Sequence, residues 1–365
     1  MIKYIFAFII LIHGLIHFMG FARGFGFWQY YSATKDISKL TGFLWFVTAM
    51  LLVTTSVLLL LKRESWPYIA IVAAILSQVL IITSWNDAKF GTIANIIILL
   101  VATAAWGSQQ FESAFIKDVK ANLQRTNTFQ TSLLTEADIQ PLPQPVQKYL
   151  RYCGVINQPK VKNLRIVFEG EMRNKGKDWF KFRSLQYNFF EEPARLFFMK
   201  GKMFGVTVPG YHHYMKANAV MDIRLFGLFS IVKKSGDVMN QTETVTLFND
   251  MCLLVPATLI DKRIQWETVD SLSTKAIFTN GINKITALLY FNEKGQLINF
   301  ISDDRTAVSD MKQYRFSTPV KEYQHINGRN IPTHGEAVWH YPNVEFIYGK
   351  FNLKSIDYNV TDFKK

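Results

Sequence analysis

The chain has 365 residues, enough for two domains, and its composition averages two unlike parts: 49% hydrophobic and 15% aromatic, yet 19% charged with a formal net charge of +13. Seven of the 41 Lys/Arg and three of the 28 Asp/Glu precede Gly107, which leaves about +9 spread along the remainder without long runs. No basic stripe, finger spacing or glycine-aromatic motif accompanies that charge, which argues against a nucleic-acid partner. Cys153 and Cys252 lack CxxC or metal-ligand spacing and read as buried free thiols.

Four apolar stretches come first, at residues 4–22, 40–61, 67–85 and 90–106. Each is long enough to cross a hydrocarbon core of about 30 Å as a helix. Trp28, Tyr30, Tyr31, Trp66, Trp85 and Trp106 stand where interfacial aromatics are expected. A cleavable leader is the competing reading of residues 1–22, but three further spans follow and no small-residue cleavage site stands out after Gly20. The chain is therefore expected to be a multi-pass protein of the cytoplasmic membrane, with the bilayer as its first partner. Lys3, Lys62, Arg63, Lys117, Lys120 and Arg125 on one side outweigh Arg23, Lys35, Lys39 and Lys89 on the other, which places the soluble part on the cytoplasmic face. His13 and His17, four apart, share one face of the first helix. A proton or metal role is one reading; neutral imidazoles bonded between helices to groups such as Gln78 and Asn95 is the other.

The domain reading is 1–107 transmembrane, 108–140 connector and 141–365 a soluble β-rich domain. Residues 109–134 are polar and mildly helical. A proline-led helix follows over 146–152 and ends near Gly154. Alternating patterns then mark strands from Leu164 to Met172, Phe180 to Phe189 and Arg195 to Met199, with one or two more between His212 and Phe229. Residues 242–261 show helical spacing up to Pro256. Strands resume at 264–269, 274–278, 285–291 and 297–302, then near Tyr323 and Ile331, and over 335–341 and 345–358. Asn292 to Gly295 and Asn327-Gly328 are hairpin signals. Ten to twelve antiparallel strands with one or two packed helices make the expected class α+β: a four-helix membrane bundle followed by a strongly curved sheet, an open half-barrel.

Three segments carry a resemblance: Leu142-Pro-Gln-Pro-Val-Gln-Lys-Tyr-Leu-Arg-Tyr152, Leu253-Leu-Val-Pro-Ala-Thr-Leu259 with Gln265-Trp-Glu267, and Gly328-Arg-Asn-Ile-Pro-Thr-His-Gly-Glu-Ala-Val-Trp339. Over residues 140–360 they resemble a bacterial family of unknown function whose domain occurs alone or behind membrane helices. That implies a shared β-rich fold and no activity. The membrane part, with His13-Gly14 and His17-Phe-Met-Gly-Phe21, faintly resembles small four-helix membrane proteins of the DoxX type.

Catalytic signatures are sparse. There is no GxSxG, no phosphate-cradling glycine loop and no HExxH. His334, Glu336 and His340 share a strand face, but along an extended strand His340 lies about 13 Å from Glu336, too far for one metal to span the three without a bend. The adjacent His212 and His213 point to opposite faces of their strand. Asp303-Asp304-Arg305 reads as a strand-end charge cluster, and Asp304 with Glu336 and His334 forms a speculative acid/base set. No cofactor is implied. Aromatics crowd the first half of the domain: Phe180, Phe182, Phe189, Phe190, Phe197, Phe198, Phe204, Tyr211 and Tyr214, with Met199, Met203, Met215 and Met221. An ordinary core is one account of them. Among functional readings, a curved sheet binding a lipid or other hydrophobic ligand leads, through Phe182, Phe189, Phe198, Tyr211 and Tyr214. An enzyme acting on a membrane-derived substrate and a scaffold for a protein partner are the alternatives.

Overall fold

The structure, a computed structural model, describes residues 1–27, 36–129, 131–203 and 205–365. Trp28, Tyr30, Tyr31, Lys35 and Phe204 lie outside the described residues. The chain forms two units: residues 1–111 with 226–228, and residues 112–225 with 229–365.

In the first unit α1 (Ile2–Gly24), α2 (Lys39–Leu60) and α3 (Trp66–Thr83) precede a single turn, α4 (Trp85–Ala88), and the start of α5 (Gly91–Asn127), whose residues from Glu112 on belong to the second unit. Four of these helices are long and apolar enough to cross a membrane. Small residues let them approach closely: Gly14 lies against Leu52, Gly20 under the Trp45 ring and Gly24 against Gly42. Ala70, Ala73, Ala74 and Ser77 form the buried stripe of α3. Large apolar side chains such as Leu15, Ile16, Val79 and Ile82 are exposed, a pattern that suits lipid and not water. The polar stretch that reads as a connector is different from expectation at its start, because α5 continues unbroken through it to Asn127.

In the second unit α6 (Glu136–Ile139) is closed by a Thr135/Asp138 capping box, and α7 (Gln144–Tyr152) buries Val146, Tyr149 and Leu150. Then come β1 (Asn163–Met172), β2 (Phe180–Phe189), β3 (Ala194–Met203), β4 (Val206–Met215), β5 (Asn218–Leu225) and β6 (Phe229–Ser235). After α8 (Asp237–Leu254) and a 3-10 turn over Pro256–Ile260 follow β7 (Ile264–Thr268), β8 (Ser273–Asn280), β9 (Asn283–Phe291), β10 (Leu297–Ala307), β11 (Lys312–Ile326), β12 (Arg329–Tyr341) and β13 (Val344–Tyr358). The fold class is α+β, and the sheet is a curled antiparallel half-barrel of 13 strands ordered β6-β5-β4-β3-β2-β1-β13-β12-β11-β10-β9-β8-β7.

The path follows from that order. The chain enters mid-sheet at β1, meanders to one edge at β6, crosses on α8 to the far edge at β7, and meanders back until β13 pairs with β1. Fourteen of the 18 residues of α8 are buried, so the sheet wraps a helix that meets protein on nearly every side. Phe248 stacks on Phe278 at 5.1 Å and meets Phe300 edge-on at 5.9 Å. The Asn327-Gly328 signal is a tight hairpin with positive φ at both positions (50° and 78°). Two expectations shift. The helix read over 242–261 starts at Asp237, after Gly236, and Pro256 turns the end of that run into a 3-10 turn. Asp303 and Asp304 lie within β10, at a bulge between Ser302 and Arg305, and not at a strand end.

The β1–β13 seam joins the two halves of the sheet, and it leaves no room at Gly170. A Cβ there would collide with the Lys350 carbonyl oxygen and sit 2.9 Å from the Phe182 ring. Gly170→Ala is expected to destabilise the domain by about 3 kcal/mol through overpacking, read as a lowered unfolding midpoint of the detergent-solubilised chain by circular dichroism. An unchanged midpoint would show that the seam is looser than the structure has it.

Candidate functional site

Between the concave face of the sheet and α8 lies a cavity of about 470 Å³. Period-two alternation decides who lines it. On β3, Arg195, Phe197, Met199 and Met203 face inward, while Leu196 and Phe198 face the convex side. On β4, His212, opposite Phe197, faces inward and Tyr211 outward. Phe316, Trp339, Tyr348 and Phe351 supply the opposing wall, and Thr242, Thr246, Asn249 and Leu253 of α8 the inner boundary. Phe182, Phe197 and Met199 pack with Phe168, Phe180 and Phe351 as one apolar cluster on this face.

A charged group is built into that apolar lining. Arg195 Nε donates to Asp250 Oδ2 at 2.8 Å, Nη1 to Glu243 Oε2 at 3.3 Å and Nη2 to Gln186 Oε1 at 3.2 Å. Asp250 Oδ2 also accepts from Gln186 Nε2 at 2.7 Å and Asn188 Nδ2 at 2.9 Å. His212 Nδ1 stands 3.8 Å from Glu243 Oε1. Burial alone would push the Glu243 carboxyl up, but His212, Arg195 and, from farther off, Arg305 outweigh it and hold it at about 2. Arg195 is likewise kept firmly protonated: burial opposes the charge, and Asp250 and Glu243 more than restore it.

Arg305, on β10, sits differently. Its guanidinium lies 4.0 Å from the Phe316 ring centroid, 5.2 Å from Trp339 and 5.9 Å from Tyr348, and Nη1 donates to the Tyr348 hydroxyl at 2.7 Å. Arg173 and Lys175 also line the cavity, stacked over Trp179 and Phe346 and over Tyr341.

The residues picked out in the sequence divide among these surroundings. Phe182 is on the concave face beside the cavity. Tyr214 faces the same way but is sealed in the core, bonded to Thr244 and Asn280. Phe198 and Tyr211 turn to the convex side and pack on Phe115 of α5, where the Tyr211 hydroxyl donates to Asp118 at 2.8 Å. Phe189 shares the convex orientation of Tyr187 and is fully buried. Asp304 accepts from the Thr286 backbone N–H at 2.6 Å, with no bond to Glu336 or His334, whose strand is separated from β10 by β11. His334 pairs with Asn352 at 2.8 Å and lies 3.8 Å from Glu336, while His340 bonds Ser317. Among the described residues no three His, Cys, Asp or Glu converge as a metal site. Both cysteines are free and buried, and burial pushes their thiols up, so they stay protonated.

Within the first unit, His13 Nε2 bonds Asn95 at 2.9 Å and Ser77 at 3.3 Å, and His17 bonds the same serine at 2.8 Å and the His13 carbonyl at 2.7 Å. Asn95 donates onward to Gln78, and Gln78 to Thr92.

Sequence reasoning missed Arg195, Glu243, Asp250 and Arg305. The available signal was Glu243 and Asp250, seven apart and so on one face of the expected helix.

Residues 132–351, more than half of the chain, match the Family of unknown function (DUF6544). The chain belongs to that family. The four apolar helices lie outside the matched span. No curated protein matches. Among solved structures, the chain is similar to the LolA superfamily protein NE2245 of Nitrosomonas europaea at 8% identity, over 58% of this chain and 90% of that one, with a TM-score of 0.33. A likeness at that level carries no argument about ligand or mechanism.

The buried charges predict a pH signature. Because the Glu243 carboxyl is lowered from 4.5 to about 2, its contribution to stability is present above about pH 4.5 and is lost as pH falls through about 2. Glu243→Gln is expected to cost about 3 kcal/mol at pH 7 and to flatten the loss of stability across that acid window. The check is the unfolding midpoint of both chains as a function of pH. Parallel profiles would remove Glu243 from the account.

Proposed function

We propose that this protein is a membrane-anchored binding protein whose half-barrel holds a lipid or another hydrophobic molecule between the concave sheet and α8. The carrying observation is the cavity itself: about 470 Å³, walled largely by Phe197, Met199, Met203, Phe316, Trp339 and Phe351. That volume falls in the range of small-molecule sites, roughly 300–1,000 Å³. Cavities with such walls are poor hosts for water and favourable ones for apolar groups. In this reading the apolar helices place the binding domain where its ligand is made or stored. The excess of Lys and Arg on one side supports a cytoplasmic orientation in a bacterial inner membrane.

The test uses the full-length chain in lipid nanodiscs with a photoreactive palmitic acid (a diazirine on the acyl chain), followed by peptide mapping. Labelling of β3, α8 and β12 is expected. Thr246→Trp sets an indole into the cavity from α8 and should reduce that labelling about tenfold, while leaving the label on α1 to α3 and the unfolding midpoint unchanged. Labelling confined to the membrane helices would reject the proposal.

A further inference from the structure

Two of the three arginines that line the cavity stand in opposite circumstances. Arg195 is neutralised in place by Asp250 and Glu243. Arg305 has no carboxylate within ion-pair distance among the described residues, and its one hydrogen bond is from Nη1 to the neutral Tyr348 hydroxyl. Its Nε is sealed from solvent without an acceptor. The rings of Phe316, Trp339 and Tyr348 stabilise the cation through their faces. They cannot accept the in-plane N–H groups, which are the donors that match an oxyanion two at a time. Around the whole cavity the charged lining is Arg173, Lys175, Arg195 and Arg305 against Glu243 and Asp250, a net charge of +2. A guanidinium in apolar surroundings costs free energy unless an anion completes it.

Resting on the binding reading above, we propose that the ligand is an anionic amphiphile: an acyl chain against the Phe197 and Met199 side of the cavity, with an oxyanion head, carboxylate or phosphate, meeting Arg305. The apolar walls select the chain and Arg305 selects the charge. A neutral lipid of the same length would leave the guanidinium facing only the Glu243 carboxylate, which lies beyond ion-pair distance. A small anion without a chain would forgo the apolar contacts that fill the volume.

The same nanodisc assay separates these terms when the head of the photoreactive probe is varied. Wild-type chain is compared using the palmitic acid probe, its methyl ester and a lysophosphatidic acid probe with the same acyl chain. The expectation is that at least one acid labels the cavity peptides about tenfold more efficiently than the ester, the value of one charge-assisted bond. Which acid leads distinguishes a carboxylate source from a phosphate source. Arg305→Gln should bring acid labelling down to the level of the ester without altering ester labelling, and Arg305→Lys should restore part of it. Ester labelling also reports that the Gln variant is folded. Equal cavity labelling by acids and ester, unchanged in Arg305→Gln, would overturn this inference while leaving the binding reading standing. Absence of cavity labelling by every probe would instead sink the binding reading. Displacement of the acid probe by millimolar acetate or inorganic phosphate would also overturn the inference, because it would mean that the anion alone is recognised.

Discussion

A helix enclosed by a sheet on nearly all sides has no solvent face on which to place its polar residues, and α8 carries several. Glu243, Asn249 and Asp250 are buried, and each must find a partner inside or cost the domain more than an average contact contributes. Arg195, Gln186 and Asn188 answer that requirement for the two carboxylates, and Thr318 accepts from Asn249. This pairing ties α8 to β2 and β3 in one orientation, whereas apolar contacts alone would allow it to slide. The strand order imposes the same arrangement from the other direction. With β1 and β13 adjacent at the centre, the chain has to connect the two outer edges, and it does so with α8 across the concave face.

Fixing the helix in this way also explains why a cavity persists beside it. Polar side chains with specific partners hold the helix off part of the sheet, and the inward aromatics and methionines of β3, β11 and β12 are left lining the space. Methionine is well suited to such a wall because its unbranched chain adapts to differing shapes. The charge balance is local: one arginine serves the helix, and another is left facing the apolar volume among aromatic rings. An ion pair that holds the fold together is complete in itself; a cation that recognises something is not.

The four helices that are long and apolar enough to cross a membrane solve a related problem with other means. In hydrocarbon there is no hydrophobic drive to bring helices together, so small residues and hydrogen bonds set the contacts. Gly14, Gly20 and Gly24 let α1 lie close to α2, and Ser77 and Asn95 take the two imidazoles of α1. The outward side chains stay apolar, as they must where lipid is the solvent.

Much of this architecture was legible in the chain. Spans of apolar residues marked the four helices that are long and apolar enough to cross a membrane, because length and hydropathy are one-dimensional information. Alternation and hairpin turns located most strands for the same reason, since period two and Asn-Gly chemistry are local. The edge strand β6 escaped because an exposed edge with Lys233 and Lys234 needs no hydrophobic face. The connector at 109–134 was half legible, as polar helical spacing without the continuity of α5. The candidate site was legible in part: Phe197, Met199, Met203 and Met221 stood in the aromatic and methionine-rich stretch, but its charged groups gave no signal of their grouping. Strand alternation assigns two faces but does not say which is concave, and so Phe198 and Tyr211 look as inward as Phe197 and His212. Only the closure of the sheet around α8 decided that, and with it which of the many arginines would be paired and which would stand alone in the cavity.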